Sequence, residues 1–466
     1  MSALLHSSVS LVVGRVALSA FRMLAALAVA RLAGPDMFGA YALLLSLIGL
    51  AEWLVDFGQT DMAVRDGARR PRRRAMILNA LARAKRVQGP AVAIALPTIL
   101  WLAGQGREII LAGCAGSIAV LATAWLQPAR ATLRLTLRMD KDIGAELAGV
   151  ALMLPLLALA SLHRASLALL VATFAIARLT QAALVAHWSG PIRQTRDMRC
   201  PATRLARQAV PLGCAGMMVL LYDALAPLLL AQLMDMRAVA LYAAAARFIM
   251  PVLVAVQAIA SAAFPLIARD WRRDPAACAR TQQATLLAST ALAALMFTGI
   301  HGGAAFLMAL MGPDFARGAP LLQLMAWTLL ARAITTAMAP LIVIAGRQGR
   351  AMLLTLASLV GQCAALFILV PRLGVMGAAW GCLLVELSLG TVAVSAIAQR
   401  ATGIAIDWRP VVGLVGSAIA IALLIAASPI AGSFAGGATA GLVLLALLLL
   451  LGRTIPRWRP MAGGTT

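Results

Sequence analysis

The connections between the apolar stretches of this chain alternate between arginine-rich and arginine-poor. Cut at its breaks in hydropathy, the sequence yields fourteen stretches: 9–30, 38–60, 87–104, 108–127, 143–162, 165–187, 208–234, 238–268, 284–311, 318–345, 351–370, 375–397, 410–430 and 434–452. One set of connections comprises the N-terminus, 61–75, 128–142, 188–207, 269–283, 346–350, 398–409 and 453–466, and it holds 26 Lys and Arg. The other set holds six, one each at Arg31, Arg107, Arg164, Arg237, Arg317 and Arg372. Cationic side chains beside short loops stay cytoplasmic, so the asymmetry predicts both termini inside. A wrong segmentation breaks the alternation, so the charge count supports the span count. Apolar runs of about 20 residues are what an α-helix needs to cross a bilayer.

The rest of the composition fits that reading. Charged residues make up 12% of the chain, against about 25% in a soluble domain. A net charge of +23 raises the question of nucleic acid. The positive charge lies in loops between spans, however, so topology and contact with anionic membrane lipid account for it. Residues 71–86 (PRRRAMILNALARAKR) read as an amphipathic lead-in to the third span, with its basic side on headgroups. The six cysteines form no C-x-x-C pair and His6, His163, His187 and His301 are dispersed, so neither metal nor disulfide framework is expected. The first apolar run contains Arg15 and Arg22 and continues to Ala30, unlike a cleavable signal. No Gly-rich phosphate loop, no H-E-x-x-H and no long arginine-poor loop is present, so no enzymatic activity and no cofactor are expected.

An internal repeat organises the spans. RLAGPDMFGAYA (Arg31 to Ala42) aligns with QLMDMRAVALYA (Gln232 to Ala243) at an offset of 201, placing Tyr41 on Tyr242 and Leu32 on Leu233. Spans 1–6 then match spans 7–12 in the same orientation. Parallel repeats about an axis along the membrane normal are a transporter architecture, with the site between the halves. The expected fold is an all-α integral membrane protein of about fourteen helices. Its expected divisions are a six-helix bundle over 1–190, a second over 191–400, and a terminal helix pair with a tail over 401–466.

Four stretches carry a family resemblance. The first is ARLAGPDMFGAYALLLSLIGLAEWLVDFGQTDMAVRD, with Gly34, Pro35, Phe38, Gly39, Tyr41, Asp56, Phe57 and Gly58 at its turns. The others are Tyr242 to Arg247, MGPDFARGAPLLQLMA from Met311, and VPRLGVMGAAWG from Val370. In this order and at these helix ends they resemble the polysaccharide (O-antigen/exopolysaccharide) flippases of the MOP (multidrug/oligosaccharidyl-lipid/polysaccharide) exporter superfamily. Gly34-Pro35 suits a tight turn, and Gly377-Ala378-Ala379 suits close helix contact. The motifs read as fold maintenance rather than substrate contact.

Ionisable residues at membrane depth are costly and mark candidate sites. The first span carries Arg15 and Arg22, the second Glu52 and Asp56, and Arg178, Asp223, Arg247, Arg332 and Glu386 follow on later spans. Counted along the helices, Arg22 and Arg247 lie about 13 Å from the arginine-poor end, Asp223 about 16 Å, and Arg178 and Arg332 about 20 Å. Arginine binds phosphate bidentately and keeps its charge, so Arg22, Arg247, Arg178 and Arg332 are the expected substrate cations of a cationic cavity. Asp223, Asp56, Glu52 and Glu386 are the candidates for gating or ion coupling. Arg15 reads as a structural partner of Asp56 and Glu52. Arg22 maps onto Asp223 under the repeat, which suggests a pair that closes the cleft.

The resemblance implies a flippase in the bacterial cytoplasmic (inner) membrane. It would carry an isoprenoid-diphosphate-linked oligosaccharide to the outer leaflet, for lipopolysaccharide or exopolysaccharide synthesis, by alternating access. The implied partners are that lipid-linked oligosaccharide and membrane lipid, not nucleic acid. H+ or Na+ as coupling ion, and polysaccharide polymerase and chain-length machinery as partners, stay open. The alternatives are a multidrug and toxin extrusion-type cation antiporter, a membrane glycosyltransferase or polymerase, and a non-transporting assembly scaffold.

Overall fold

The structure, a computed structural model, describes residues 2–162, 166–190 and 202–454, with side chains in the first helix described from Ala17. Among the described residues there is no strand, and eleven segments are long and apolar enough to cross a membrane. One of these, Ala17–Arg69, holds two crossings. It breaks at Gly34, whose φ of 74° and ψ of 175° are not helical. Glycine adopts that backbone without a Cβ penalty, and Pro35 presets φ for the helix that follows. The two arms fold back on each other, so that Ala25 and Ala26 line one cavity with Tyr41 and Ala42. They are named α1 (residues 2–33) and α2 (residues 35–56).

Twelve further long helices follow. They are α3 (Arg74–Leu102), α4 (Arg107–Leu135), α5 (Met139–Leu162), α6 (Leu167–Ser189), α7 (Ala202–Leu233), α8 (Met236–Asp270), α9 (Pro275–Gly302), α10 (Ala319–Ile344), α11 (Gln348–Leu373), α12 (Val375–Thr402), α13 (Arg409–Ala426) and α14 (Phe434–Thr454). Basic residues shorten the apolar part of α3. The fourteen helices are those expected from the alternation of charge. Six belong to each bundle, and α13 and α14 pack on α9. The ninth span was expected to reach residue 311, but its helix stops at Gly302 and a short helix, Ala304–Met311, follows. The stop is a docking point. The Gly432 N–H donates to Gly302 O at 2.9 Å, and a Cβ on Gly437 would lie 2.8 Å from Gly299 O. Small residues thus let α14 approach α9 backbone to backbone.

The two bundles meet at equivalent positions. Arg237 donates to Asp36 at 3.0 Å, and these residues are 201 apart, the offset of the sequence repeat. Gly39 packs on Met236 and Ala240, and Ala240 is its equivalent under the same offset. Contact between equivalent residues is what a two-fold axis along the membrane normal produces. Phe38 and Phe315, both fully buried, stack edge to face at 5.6 Å beside this contact. Two of the sequence motifs therefore hold the bundles together at the arginine-poor end. A Cβ at Gly39 would lie 1.9 Å from Met236 O, so Gly39→Val must push the bundles apart there. In a cysteine-free background, Ser46→Cys inside the cavity is expected to resist a membrane-impermeant thiol reagent, and to react with it once Gly39→Val is added.

The arginine-rich end is closed as well. The Trp53 indole N–H on α2 donates to Gly213 O on α7 at 3.0 Å, and the indole lies where a Cβ on Gly216 would be. Just beyond, Phe57 and Gly58 adopt φ of 42° and 73° and turn the chain into the short helix Gln59–Arg69. The segment 71–86, expected as an amphipathic lead-in with its basic side on headgroups, runs into α3. Ile77, Leu78 and Leu81 pack against Met62, Ala131 and Leu205, so protein rather than lipid covers the apolar side. Lys85 is 2% exposed and donates to Asp56 O at 3.1 Å and Gln59 Oε1 at 3.1 Å. It caps the carbonyl end of α2, where a cation satisfies otherwise unpaired acceptors.

Candidate functional site

Between the two closures lie adjoining cavities that share Arg247. One, of about 340 Å³, is lined from the first bundle by Arg22, Glu52, Glu146, Arg178 and Gln181, and from α8 by Arg247. The other, of about 260 Å³, is lined by Tyr222, Asp223, Tyr242, Arg332 and Gln362, again with Arg247. The larger groove between α3, α4 and α6, lined by Leu121, Trp125 and Leu179 among others, lies on the opposite side of α6. Its lining is mostly apolar, and it lacks the converging charges of the central cavities.

The ion pairs of the cavities form within each bundle. In the first, Arg178 donates to Glu52 at 2.7 Å and to Gln181 at 2.9 Å, and stacks on Phe174 at 5.3 Å. Thr123 donates to the other oxygen of Glu52 at 2.8 Å. Arg22, with half its side chain exposed to the cavity, pairs with Glu146, which also lies 3.8 Å from Arg178. In the second bundle Arg332 bridges two carboxylates, Asp223 and Glu386, each at 2.8 Å. It stacks on Tyr222 at 5.5 Å, and the Tyr222 hydroxyl donates to Glu386 at 3.0 Å. Glu386 opens a π-helical turn, Glu386–Ala393, inside α12. A Cβ on Gly390 would lie 2.7 Å from the Glu386 carboxylate, so glycine makes room for it there. Buried ion pairs need this completeness, because unpaired charge in low dielectric is expensive.

These pairings correct several expectations. Arg22 does not meet Asp223: its partner is Glu146 on α5, and Asp223 belongs to Arg332. Glu52 pairs with Arg178, and the Arg15 side chain lies outside the described residues. Asp56 lies outside both cavities, where it accepts from the Thr60 N–H at 3.2 Å and sits 3.9 Å from Lys85. Of the four expected cations, Arg178 and Arg332 are held by two carboxylates each and Arg22 by one. Arg247 alone makes no hydrogen bond or ion pair among the described residues. The first cavity therefore sets three guanidiniums against two carboxylates, one net positive charge. The wall beyond Arg332, with Asp223 and Glu386, carries one net negative charge.

Glu146 and Gln181 were missed from sequence. Glu146 is the sole acid within the fifth apolar stretch, close to the basic connection 128–142, which was signal enough. Gln181 lies one turn from Arg178, the spacing at which helix side chains meet.

Two equivalent six-helix bundles that face each other across polar cavities, with two further helices beside them, are an arrangement that transporters use. Residues 4–271 match the family model described as polysaccharide biosynthesis protein. The match covers more than half of the 466 residues, and the chain belongs to that family. No curated protein matches it by sequence. Among solved structures, lipid II flippase MurJ in an inward closed conformation gives a TM-score of 0.81 at 9% identity, over 97% of this chain and 100% of that one. An inward-facing multidrug resistance MATE family transporter of the MOP superfamily gives 0.67 at 14% identity, over 84% and 98%. A MOP superfamily transporter from Pyrococcus furiosus, described as having a binding pocket of reverse polarity, gives 0.59 at 16%, over 85% and 96%. At these identities the likeness is one of fold, and the fold is that of the MOP transporters.

Proposed function

We propose that this protein is a flippase for an isoprenoid-diphosphate-linked oligosaccharide, working from the inner to the outer leaflet of the bacterial cytoplasmic membrane in surface polysaccharide synthesis. One observation carries the reading. Arg247, which has no ionic or hydrogen-bond partner among the described residues, stands at the junction of the two cavities, between the bundles. A guanidinium held in a protein interior without a counter-ion is a standing site for an anion. A diphosphate headgroup supplies that anion, and a sugar cannot cross about 30 Å of hydrocarbon unaided. The family's link to polysaccharide synthesis points the same way.

With the arginine-rich loops cytoplasmic, this reading has the Trp53 closure facing the cytoplasm and the Asp36–Arg237 closure facing outside. Opening one while the other holds is alternating access. An anion on Arg247 of one bundle and the polar wall of the other gives the bundles a shared ligand to close around.

One observation favours a second reading. The wall around Asp223 and Glu386 is net negative, which suits a cationic drug or a coupling ion. A strain lacking the gene separates the two. The flippase reading expects lipid-linked oligosaccharide to accumulate in the inner leaflet and surface polysaccharide to be lost. Normal polysaccharide with increased sensitivity to cationic drugs establishes the exporter instead.

A further inference from the structure

The first cavity, with Arg22, Arg178 and Arg247 in its lining, has a feature that bare phosphate binding does not explain. Its most exposed cation, Arg22, is already taken by Glu146. A carboxylate on the cation that the substrate needs is a competitor. The surroundings show where that competitor can go. Arg178 lies 3.8 Å from Glu146, and its Nε is buried with no hydrogen-bond partner. The Nε2 of Gln181, in a side chain 1% exposed, is also buried without a partner. Buried donors are seldom left unsatisfied, and both of these belong to side chains that line the same cavity as Glu146. Glu146 therefore bonds Arg22, lies at ion-pair distance from Arg178, and shares its cavity with two donors that have no partner among the described residues.

Resting on the flippase reading, we propose that Glu146 is an internal counter-ion that the substrate's diphosphate displaces. Until a headgroup arrives, Glu146 neutralises Arg22. When the headgroup arrives, one phosphoryl group sits on Arg247 and the second takes Arg22. Glu146 then turns to Arg178 and Gln181 and satisfies their free N–H groups. Arg22 and Arg247 belong to different bundles, so the exchange links the two through the ligand. It also sets a threshold for what binds. A diphosphate has a second phosphoryl group that offsets the loss of the Arg22–Glu146 pair. A monophosphate has one, rests on Arg247, and leaves Glu146 in place. Glu146 is thus a specificity-determining residue that separates a loaded diphosphate carrier from a bare monophosphate.

The test is binding of farnesyl diphosphate and farnesyl monophosphate to the purified full-length protein in detergent. Glu146→Gln is close to isosteric and removes the competing charge. It should tighten the diphosphate about tenfold, the worth of one charge-assisted hydrogen bond, and the monophosphate less than about twofold. Glu146→Asp keeps the charge but withdraws it from Arg22 by one methylene, and should give part of the same gain. Adding Arg22→Gln to Glu146→Gln should abolish the gain, which a merely structural role for Glu146 does not predict. Equal gains for both ligands overturn the proposal, because they show a general field effect. If Arg247→Ala abolishes diphosphate binding while both Glu146 variants bind as wild type does, the phosphate site stands and the counter-ion role falls. If no form binds either ligand, the phosphate reading and this inference fall together.

Discussion

Arg332→Ala is expected to be the most destabilising single change in the second bundle, at about 3–5 kcal/mol, the range for removing one partner of a buried ion pair. Arg332 bonds Asp223 and Glu386 at 2.8 Å each, and its side chain is 20% exposed. Removing it leaves two carboxylates facing each other without a cation. Glu386 suffers more, because its side chain is 9% exposed against 35% for Asp223. The melting midpoint of the detergent-solubilised protein should fall clearly. Adding Glu386→Gln should recover more of the loss than adding Asp223→Asn. An unchanged midpoint for Arg332→Ala, or equal recovery by the two second changes, contradicts the triad as drawn here.

Arg247→Ala is expected to do the reverse. Arg247 is held without an ionic partner among the described residues, so folding carries the burden of a guanidinium that nothing nearby neutralises. Its removal should leave the melting midpoint unchanged or raise it. Binding of an anionic headgroup should weaken about 10- to 100-fold, the equivalent of losing a charged hydrogen-bond set worth about 1.5–3 kcal/mol. Arg247→Lys keeps the charge but loses the planar fork that grips two oxygens, so its binding should fall between the two. A midpoint that drops with Arg247→Ala marks the residue as structural and removes the main support for the phosphate site.

Much of this was legible in the sequence because it depends on one helix at a time. Apolar length sets each span, and Gly34-Pro35 sets the first turn. The repeat offset of 201 anticipated that Asp36 and Arg237 occupy matching places, and the structure brings them into contact. What was not legible is rotation between helices. Arg22 and Asp223 map onto each other under the repeat, but α1 turns Arg22 toward α5, and α7 turns Asp223 toward α10. Periodicity says which residues share a side of one helix and is silent on which neighbour that side meets. The same limit hid Lys85. Its neighbours Arg83 and Arg86 are exposed, and the pattern of a basic helix end gives no sign that one of three cations turns inward to cap α2.

On the flippase reading Arg247, without an ionic partner among the described residues, makes the space between the bundles a carrier for an anionic lipid headgroup. The most direct test of that reading is translocation in proteoliposomes, using an isoprenoid-diphosphate-linked oligosaccharide labelled on the sugar and read by its accessibility from outside. Wild-type protein should move the label across the bilayer well above the protein-free rate. Arg247→Ala, equally folded and equally reconstituted, should fall close to the protein-free rate. Translocation by Arg247→Ala at the wild-type rate, or none by the wild type, contradicts the account.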